Sequence, residues 1–446
     1  MQVFISKVNI EKTIDLLQVK FQSISPNGCF FAFVTNEYDL DGNVLHDFFD
    51  IIKAATDIGY QYVNTIVFPN KNINSYLIND NVRYVVWLCK DQKRMTFNKD
   101  FIREKHIWKD VEWGKREKNY NPKGKDPGNV WIPTRDDGHA NITEHIILSE
   151  LEVIDKILAM TCCGKDYEIV ESDEMQVCPR SFNLSCAEVL TEQHQPVVVF
   201  GTSEKMSNIE SDSVSLIVTS PPYWDLKDYF KKGQIGQESY EKYLDRMGRV
   251  WEQCFDKLSN TGSMWVNINI RVSKGQVILI PYEFIKTCRK IGFYYKGVII
   301  WHKSSGIPTH EKNIVDRHEY ILIFSKSNEW SLKKDILESF ADYKNEELNG
   351  KAFWNINRKA GSVGQRFVHP AIYPKKLVER IVLCSTNKNE LVVDPFLGSG
   401  TSLIAASNTY RNFIGYEFND GFKELMETRF SKELTTNNNI IYKNDN

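Results

Sequence analysis

The chain has 446 residues, a formal net charge of −2, 42% hydrophobic and 26% charged residues. That length exceeds one ordinary core, so two domains are expected; no run of about 18 apolar residues offers a membrane span. The near-neutral balance excludes a globally basic nucleic-acid binder and leaves any such role to local patches. The N-terminal MQVFISKVNIEK lacks the apolar core of a signal peptide, and nine cysteines never spaced CxxC suit reduced thiols, so a cytoplasmic protein is expected. Cys162, Cys163, Cys178 and Cys186 match no standard zinc spacing, and no metal is expected.

In the first third, residues 28–162 read as a diverged copy of 262–385. GCFFAFVTN pairs with GSMWVNINI, and HDFFDIIKAATDIGYQYVNTIVFPN with PYEFIKTCRKIGFYYKGVIIWHK. RYVVWLCK pairs with HEYILIFSK, and NVWIP with AFWNI. His145 and His369 each stand twelve residues before a matching isoleucine. Within this copy, residues 103–125 hold eight Lys/Arg against four Asp/Glu with Trp108, Trp113 and Tyr120 interleaved. Such a loop suits phosphate contacts and base stacking, with Lys115, Arg116 and Lys118 as candidates; a solvated surface loop is the alternative. The division expected is a domain over 1–165, a linker over 166–195 and a second domain over 196–446.

From 196 onward, strands and helices alternate in the manner of an α/β sheet. Strands are expected at 196–200, 215–219, 263–269, 294–302, 319–325, 391–394 and 412–417. Helices are expected at 239–259, 281–291, 374–387, 400–409 and 419–433, with a frayed tail after 434. The strand SLIVT runs into TSPPYWDLKDY (219–229), where prolines stop the strand and fix a rigid corner. Further on, LVVDPFLGSGTSLIAA (391–406) reads as a strand, a glycine turn and a helix start. It carries no GK[ST] and so is no phosphate loop. Gly398 and Gly400 let the backbone approach a ligand, the helix from Thr401 aims N–H groups at it, and FIGYEFN ends a second strand in Glu417. A carboxylate at the tip of that strand can accept bonds from both ribose hydroxyls. The combination describes a nucleoside site without a phosphate cradle.

DPFxGSGT followed by GxE resembles the S-adenosylmethionine site of the DNA amino-methyltransferases, and TSPPYW resembles their catalytic tetrapeptide. WDLKDY…GQIGQE resembles the same family, with Lys227 where arginine is usual, and FVHPAIYPKKLVERIV resembles the helix beside the methionine end of the cofactor. NPKGKDPGNVWIP in the first copy resembles another family segment. The resemblance covers 197–433 well and 28–162 weakly. It implies a Rossmann-like methyltransferase sheet with helices on both faces, plus an N-terminal degenerate methyltransferase-like α/β domain without a cofactor loop. The motif order, catalytic before cofactor, resembles the β arrangement; no Pro-Cys pair exists for the covalent 5-methylcytosine route.

The site residues so implied are Ser220, Pro221, Pro222 and Tyr223 for catalysis. Trp224, Lys227, Tyr229 and Arg317 would serve the DNA substrate. Asp394, Pro395, Phe396, Gly398, Gly400, Thr401, Glu417, His369 and Pro370 would hold S-adenosylmethionine. His369 has a second reading as a packed helix-start histidine, and His318 has the same two. SPPY points to N4 of cytosine in duplex DNA reached by base flipping. N6 of adenine on the same architecture is the alternative, and a non-catalytic DNA-binding pseudo-methyltransferase a third reading. A cognate restriction endonuclease is a conceivable partner, and a tandem copy implies a monomer with an internal pseudo-dimer.

Overall fold

The computed structural model describes residues 2–69, 81–104, 123–136, 143–164, 166–171, 195–226, 231–273, 275–303, 313–343, 348, 352–357, 373–435 and 439–444. The N-terminal part contains β1 (Val3–Lys7), α1 (Ile10–Ser23), β2 (Cys29–Val34), α2 (Phe48–Ile58), β3 (Gln61–Pro69), β4 (Val82–Cys89), α3 (Glu150–Met160) and β5 (Tyr167–Glu171). Its sheet runs in the order β3-β4-β2-β1-β5. The C-terminal part contains β6 (Val197–Phe200), β7 (Val214–Thr219), α4 (Tyr240–Lys257), β8 (Leu258–Ile268), α5 (Ile280–Ile291), β9 (Tyr294–His302), β10 (His318–Ser325) and β11 (Phe353–Asn355). It continues with α6 (Lys375–Ser385), β12 (Leu391–Asp394), α7 (Thr401–Asn408), β13 (Asn412–Glu417), α8 (Lys423–Glu433) and β14 (Ile441–Asn444). Its sheet runs β11-β9-β10-β8-β7-β12-β13-β6-β14. The central strands are buried on both faces, as in sheets covered by helices on two sides, whereas β5 and β14 at the edges are exposed.

The order β3-β4-β2-β1-β5 reproduces β9-β10-β8-β7-β12 strand for strand, with the same parallel and antiparallel pairings. The bulge falls at equivalent places, between Tyr62 and Asn64 and between Tyr295 and Gly297. Side chains agree too. Gly59 ends α2 at φ +115° against the Phe21 ring, and Gly292 ends α5 at φ +124° against the Phe255 ring. In that left-handed region glycine carries no steric penalty. Lys90 lies over Phe21 and Lys326 over Phe255, both at 5.1 Å from the ring centroid.

Register identifies what replaces the TSPPY corner. Ser6 stands where Thr219 does, and Lys7 where Ser220 does. Lys7 Nζ is tied to Glu150 and Glu171, each at 3.0 Å. The N-terminal sheet, in its described residues, ends at β5, where the other continues into β12, β13 and β6.

The parts pack directly on one another. Phe48 stacks on Tyr84 at 4.3 Å and meets Tyr320, the residue equivalent to Tyr84, at 5.4 Å. Tyr295 Oη donates to Asp47 Oδ2 at 3.0 Å, and Lys296 Nζ to Asn43 Oδ1 at 2.6 Å.

Two expectations are corrected. Tyr167–Glu171 belongs to the N-terminal sheet, paired with β1, rather than to a linker. The tail does not simply fray: Ile441–Asn444 pairs in parallel with β6. Four residues give no periodic signal, so only the exposed edge of β6 discloses their place. The remaining expected strands fall within a few residues of their observed limits, the largest difference being β8, which begins at Leu258.

Candidate active site

The neighbouring parallel strands β7 and β12 end side by side, Ile217 opposite Val393. Residues just past such carboxyl ends open onto a crevice. An open cavity lies there, and Ser220 and Pro222 share its wall with Pro395, Phe396, Gly398 and Glu417. Two motifs more than 170 residues apart in sequence thus meet in one place.

Glu417 ends β13 and is 9% exposed. Its Oε2 accepts the Gly398 N–H at 2.8 Å and its Oε1 the Asn419 N–H at 2.7 Å. Burial pushes its pKa up to about 7, against the lowering effect of those two bonds. Each oxygen keeps a second lone pair, so the carboxylate suits a pair of hydroxyl donors. Ile235, Phe396 and Phe418 supply apolar surface to the wall, beside polar Thr202, Ser203, Gln234, Ser399 and Asn419. Arg246 also lines the cavity, but its guanidinium is bound to Glu204 at 2.6 Å. With Arg246 already paired, the lining suits a nucleoside better than a polyphosphate.

Asp394 takes a different place from the one expected. It is fully buried and stands behind the wall rather than on it. Its Oδ1 accepts Thr219 Oγ1 at 2.7 Å and the Phe396 N–H at 2.9 Å; its Oδ2 accepts Ser402 Oγ and, at 3.4 Å, Tyr373 Oη. Burial raises its pKa, and these hydrogen bonds oppose the rise. The carboxylate therefore ties the end of β7, the glycine turn and the start of α7 into one unit.

Gly400 and Thr401 also face away from the cavity. Gly400 caps α7 at φ +81°, and a Cβ there would come within 2.5 Å of the Phe430 ring. Thr401 Oγ1 accepts from Arg429 at 2.9 Å, and Arg429 also bonds Ser399 Oγ at 2.7 Å. Arg429 braces the turn from α8 and was not visible as a site residue in the sequence.

The SPPY corner is held from several sides. Tyr243 Oη donates to the Pro222 carbonyl at 2.7 Å. Tyr223 Oη donates to Glu319 Oε2 at 3.1 Å. Trp224 adopts φ +51°, and its Nε1–H donates to the Glu238 carbonyl at 2.9 Å. Neither aromatic lines the cavity, so both stand beside it.

Arg317 lies at the junction of the two parts: its guanidinium donates to the Asp126 carbonyl at 2.7 Å, and Gly128 leaves room for its stem. His318 is buried edge-on against Tyr320, with its pKa pushed down to about 4 by burial. That is the packed reading of this histidine. Lys227, Tyr229, His369, Pro370, Lys115, Arg116 and Lys118 lie outside the described residues. Gln234 and Ile235 also line the cavity, and the nearby Lys231 pairs with Asp420 at 2.7 Å.

Comparison with known proteins adds four findings. A family described as DNA methylase matches residues 214–428. A Methanocaldococcus jannaschii relative, the type II methyltransferase M.MjaI, is 30% identical over 287 residues, covering 54% of this chain and 92% of the relative. Another, M.Cfr9I of Citrobacter freundii, is 28% identical over 263 residues, covering 52% and 85%. Among solved structures, the cytosine-N4-specific PvuII DNA methyltransferase is similar at 23% identity and a TM-score of 0.44, covering 55% of this chain and 89% of that one.

Proposed function

From the premise that this chain belongs to the DNA methylase family of S-adenosylmethionine-dependent amino-methyltransferases, we propose that it methylates N4 of cytosine in duplex DNA. The observation that carries the reading is that Ser220 and Pro222 of the SPPY corner stand on the wall of the cavity that Glu417 lines, with Tyr223 beside it. When bound, the cofactor supplies an electrophilic methyl group on a sulfonium. Glu417 would receive its ribose hydroxyls, and Phe396, Ile235 and Phe418 would enclose its base.

The exocyclic amino group of cytosine is a weak nucleophile because its lone pair is delocalised into the ring. Ser220 Oγ and the Pro221 carbonyl accept hydrogen bonds from its N–H groups and favour the pyramidal nitrogen. The prolines keep the corner from relaxing, so little reorganisation accompanies the reaction. Tyr223 offers a ring face to a flipped base, a contact worth about 1–3 kcal/mol, against the few kcal/mol of unstacking. Digestion of methylated DNA to nucleosides, with mass spectrometry, tests the reading. N4-methylcytosine is expected; N6-methyladenine alone would reassign the target.

The N-terminal part, with Lys7 in the place of Ser220, is proposed as a pseudo-subunit that binds no cofactor. Its residues 103–125 are proposed to contact DNA. Cofactor binding should carry a pH signature. The Glu417 carboxylate is raised to about 7, so acidification protonates it and removes an acceptor from the ribose hydroxyls. Affinity for S-adenosylmethionine should then fall about tenfold between roughly pH 8 and pH 6. Glu417→Gln should bind weakly and flatten this profile. Calorimetric titration measures both, and should give one cofactor per chain; a pH-independent wild type, or two cofactors, would count against these assignments.

A further inference from the structure

Beneath the SPPY corner, three adjacent strands bring polar side chains together. Lys303, immediately after β9, is 2% exposed, and its Nζ donates to Glu319 Oε1 at 2.8 Å. Glu319 lies on β10 with a side chain 14% exposed. Its Oε2 accepts from Tyr223 Oη at 3.1 Å and from Asn267 Nδ2 at 2.9 Å. Asn267, on β8, also directs Nδ2 towards Tyr223 Oη at 3.2 Å and Ser220 Oγ at 3.5 Å. The ion pair thus meets the catalytic corner through its acidic end.

A buried ion pair is a poor way to stabilise a sheet, because desolvation cancels much of its attraction. The molecule contains its own comparison. In the N-terminal sheet the position of Asn267 is held by Phe33 and that of Glu319 by Arg83, while Lys7 follows Ser6 as Ser220 follows Thr219. The same strand frame folds there without the Asn267 amide and the Glu319 carboxylate. They occur where the SPPY corner occurs.

We infer that Glu319, anchored by Lys303, is a positioning residue for methyl transfer: it fixes the Tyr223 ring and, through Asn267, the orientation of Ser220 Oγ. The inference rests on the methyl-transfer reading above. The hydrogen bonds hold the base-facing groups before substrate arrives, which is where preorganisation lowers a barrier. The Lys303–Glu319 dipole points its negative end towards the corner. Positive charge moves from the cofactor sulfur to the amino nitrogen during transfer, so that orientation favours the transition state over the ground state.

The test uses the full chain, labelled S-adenosylmethionine and mixed-sequence duplex DNA under single-turnover conditions. Glu319→Gln should lower the transfer rate about 10- to 100-fold, while cofactor affinity stays near wild type. Glu319→Asp should recover part of the rate, and Lys303→Met should mimic Glu319→Gln. Because both residues act through the corner, Glu319→Gln combined with Tyr223→Phe should cost less than the product of the single effects. A wild-type rate in Glu319→Gln, or a loss matched by lost cofactor affinity, would overturn the inference. If Glu319→Gln lowers the melting temperature, Asn267→Ala and the double-mutant coupling decide, and multiplicative effects reject it. A wild-type chain that methylates no DNA would instead remove the underlying reading.

Discussion

Ser220→Ala should lower single-turnover methyl transfer to DNA about 100- to 1,000-fold, the largest catalytic effect expected from one atom in this protein. Removing one preorganised polar contact to a reacting group typically costs about 2.7–4 kcal/mol of transition-state stabilisation. Ser220 is half-exposed on the cavity wall, so its hydroxyl contributes little to packing. The melting temperature should therefore hold, and S-adenosylmethionine should still bind. The loss should appear in kcat, because the hydrogen bond strengthens as the amino nitrogen pyramidalises. A rate within threefold of wild type would show that Ser220 accepts no bond from the base, and would leave the Pro221 carbonyl as the only acceptor proposed at this corner.

The largest effect on stability is expected at Asp394. Its carboxylate is fully buried and accepts from Thr219, Phe396, Ser402 and Tyr373. Asp394→Ala strips partners from several donors, each unsatisfied buried group costing about 1–3 kcal/mol. A net loss of about 3 kcal/mol is expected, seen as a melting temperature lower by about 6–12 °C if the C-terminal part melts as one unit. Asp394→Asn keeps the volume and some acceptors and should lose less. Cofactor affinity should fall in Asp394→Ala, because the turn that carries Gly398 is no longer tied to β7. A stable Asp394→Ala protein with weakened cofactor binding would instead mean that Asp394 touches the cofactor directly. Scanning calorimetry with and without S-adenosylmethionine separates the two.

Much of the candidate site was legible because it is written in local spacing. A strand, DPFLGSG and a helix start can only form a turn at a strand's carboxyl end, and the Pro-Pro corner after SLIVT can only end its strand. Internal similarity likewise exposed the repeated sheet, through helix-ending glycines and paired apolar runs. Chemistry carried by contacts between distant strands was hidden. Glu319 stands first in one expected strand, Lys303 just past another, and Asn267 inside a third. Polar residues within or just past three buried strands were the available signal, but they do not say which ones meet.

By itself, therefore, the sequence determined the α/β class, the strand ends that carry function, and the presence of a copy that lacks the catalytic corner. Composition and spacing act along the chain, and those features are local. Only the tertiary structure decided which side of each motif faces the cavity. It turned Asp394, Gly400 and Thr401 away from the wall and left Glu417 on it. It also placed Lys7 in the position of Ser220 and drew Lys303, Glu319 and Asn267 under the SPPY corner. The physical reason is strand register. Side chains alternate faces along a strand, so one residue of slip would send each to the opposite side. That register is set by packing between segments far apart in the chain.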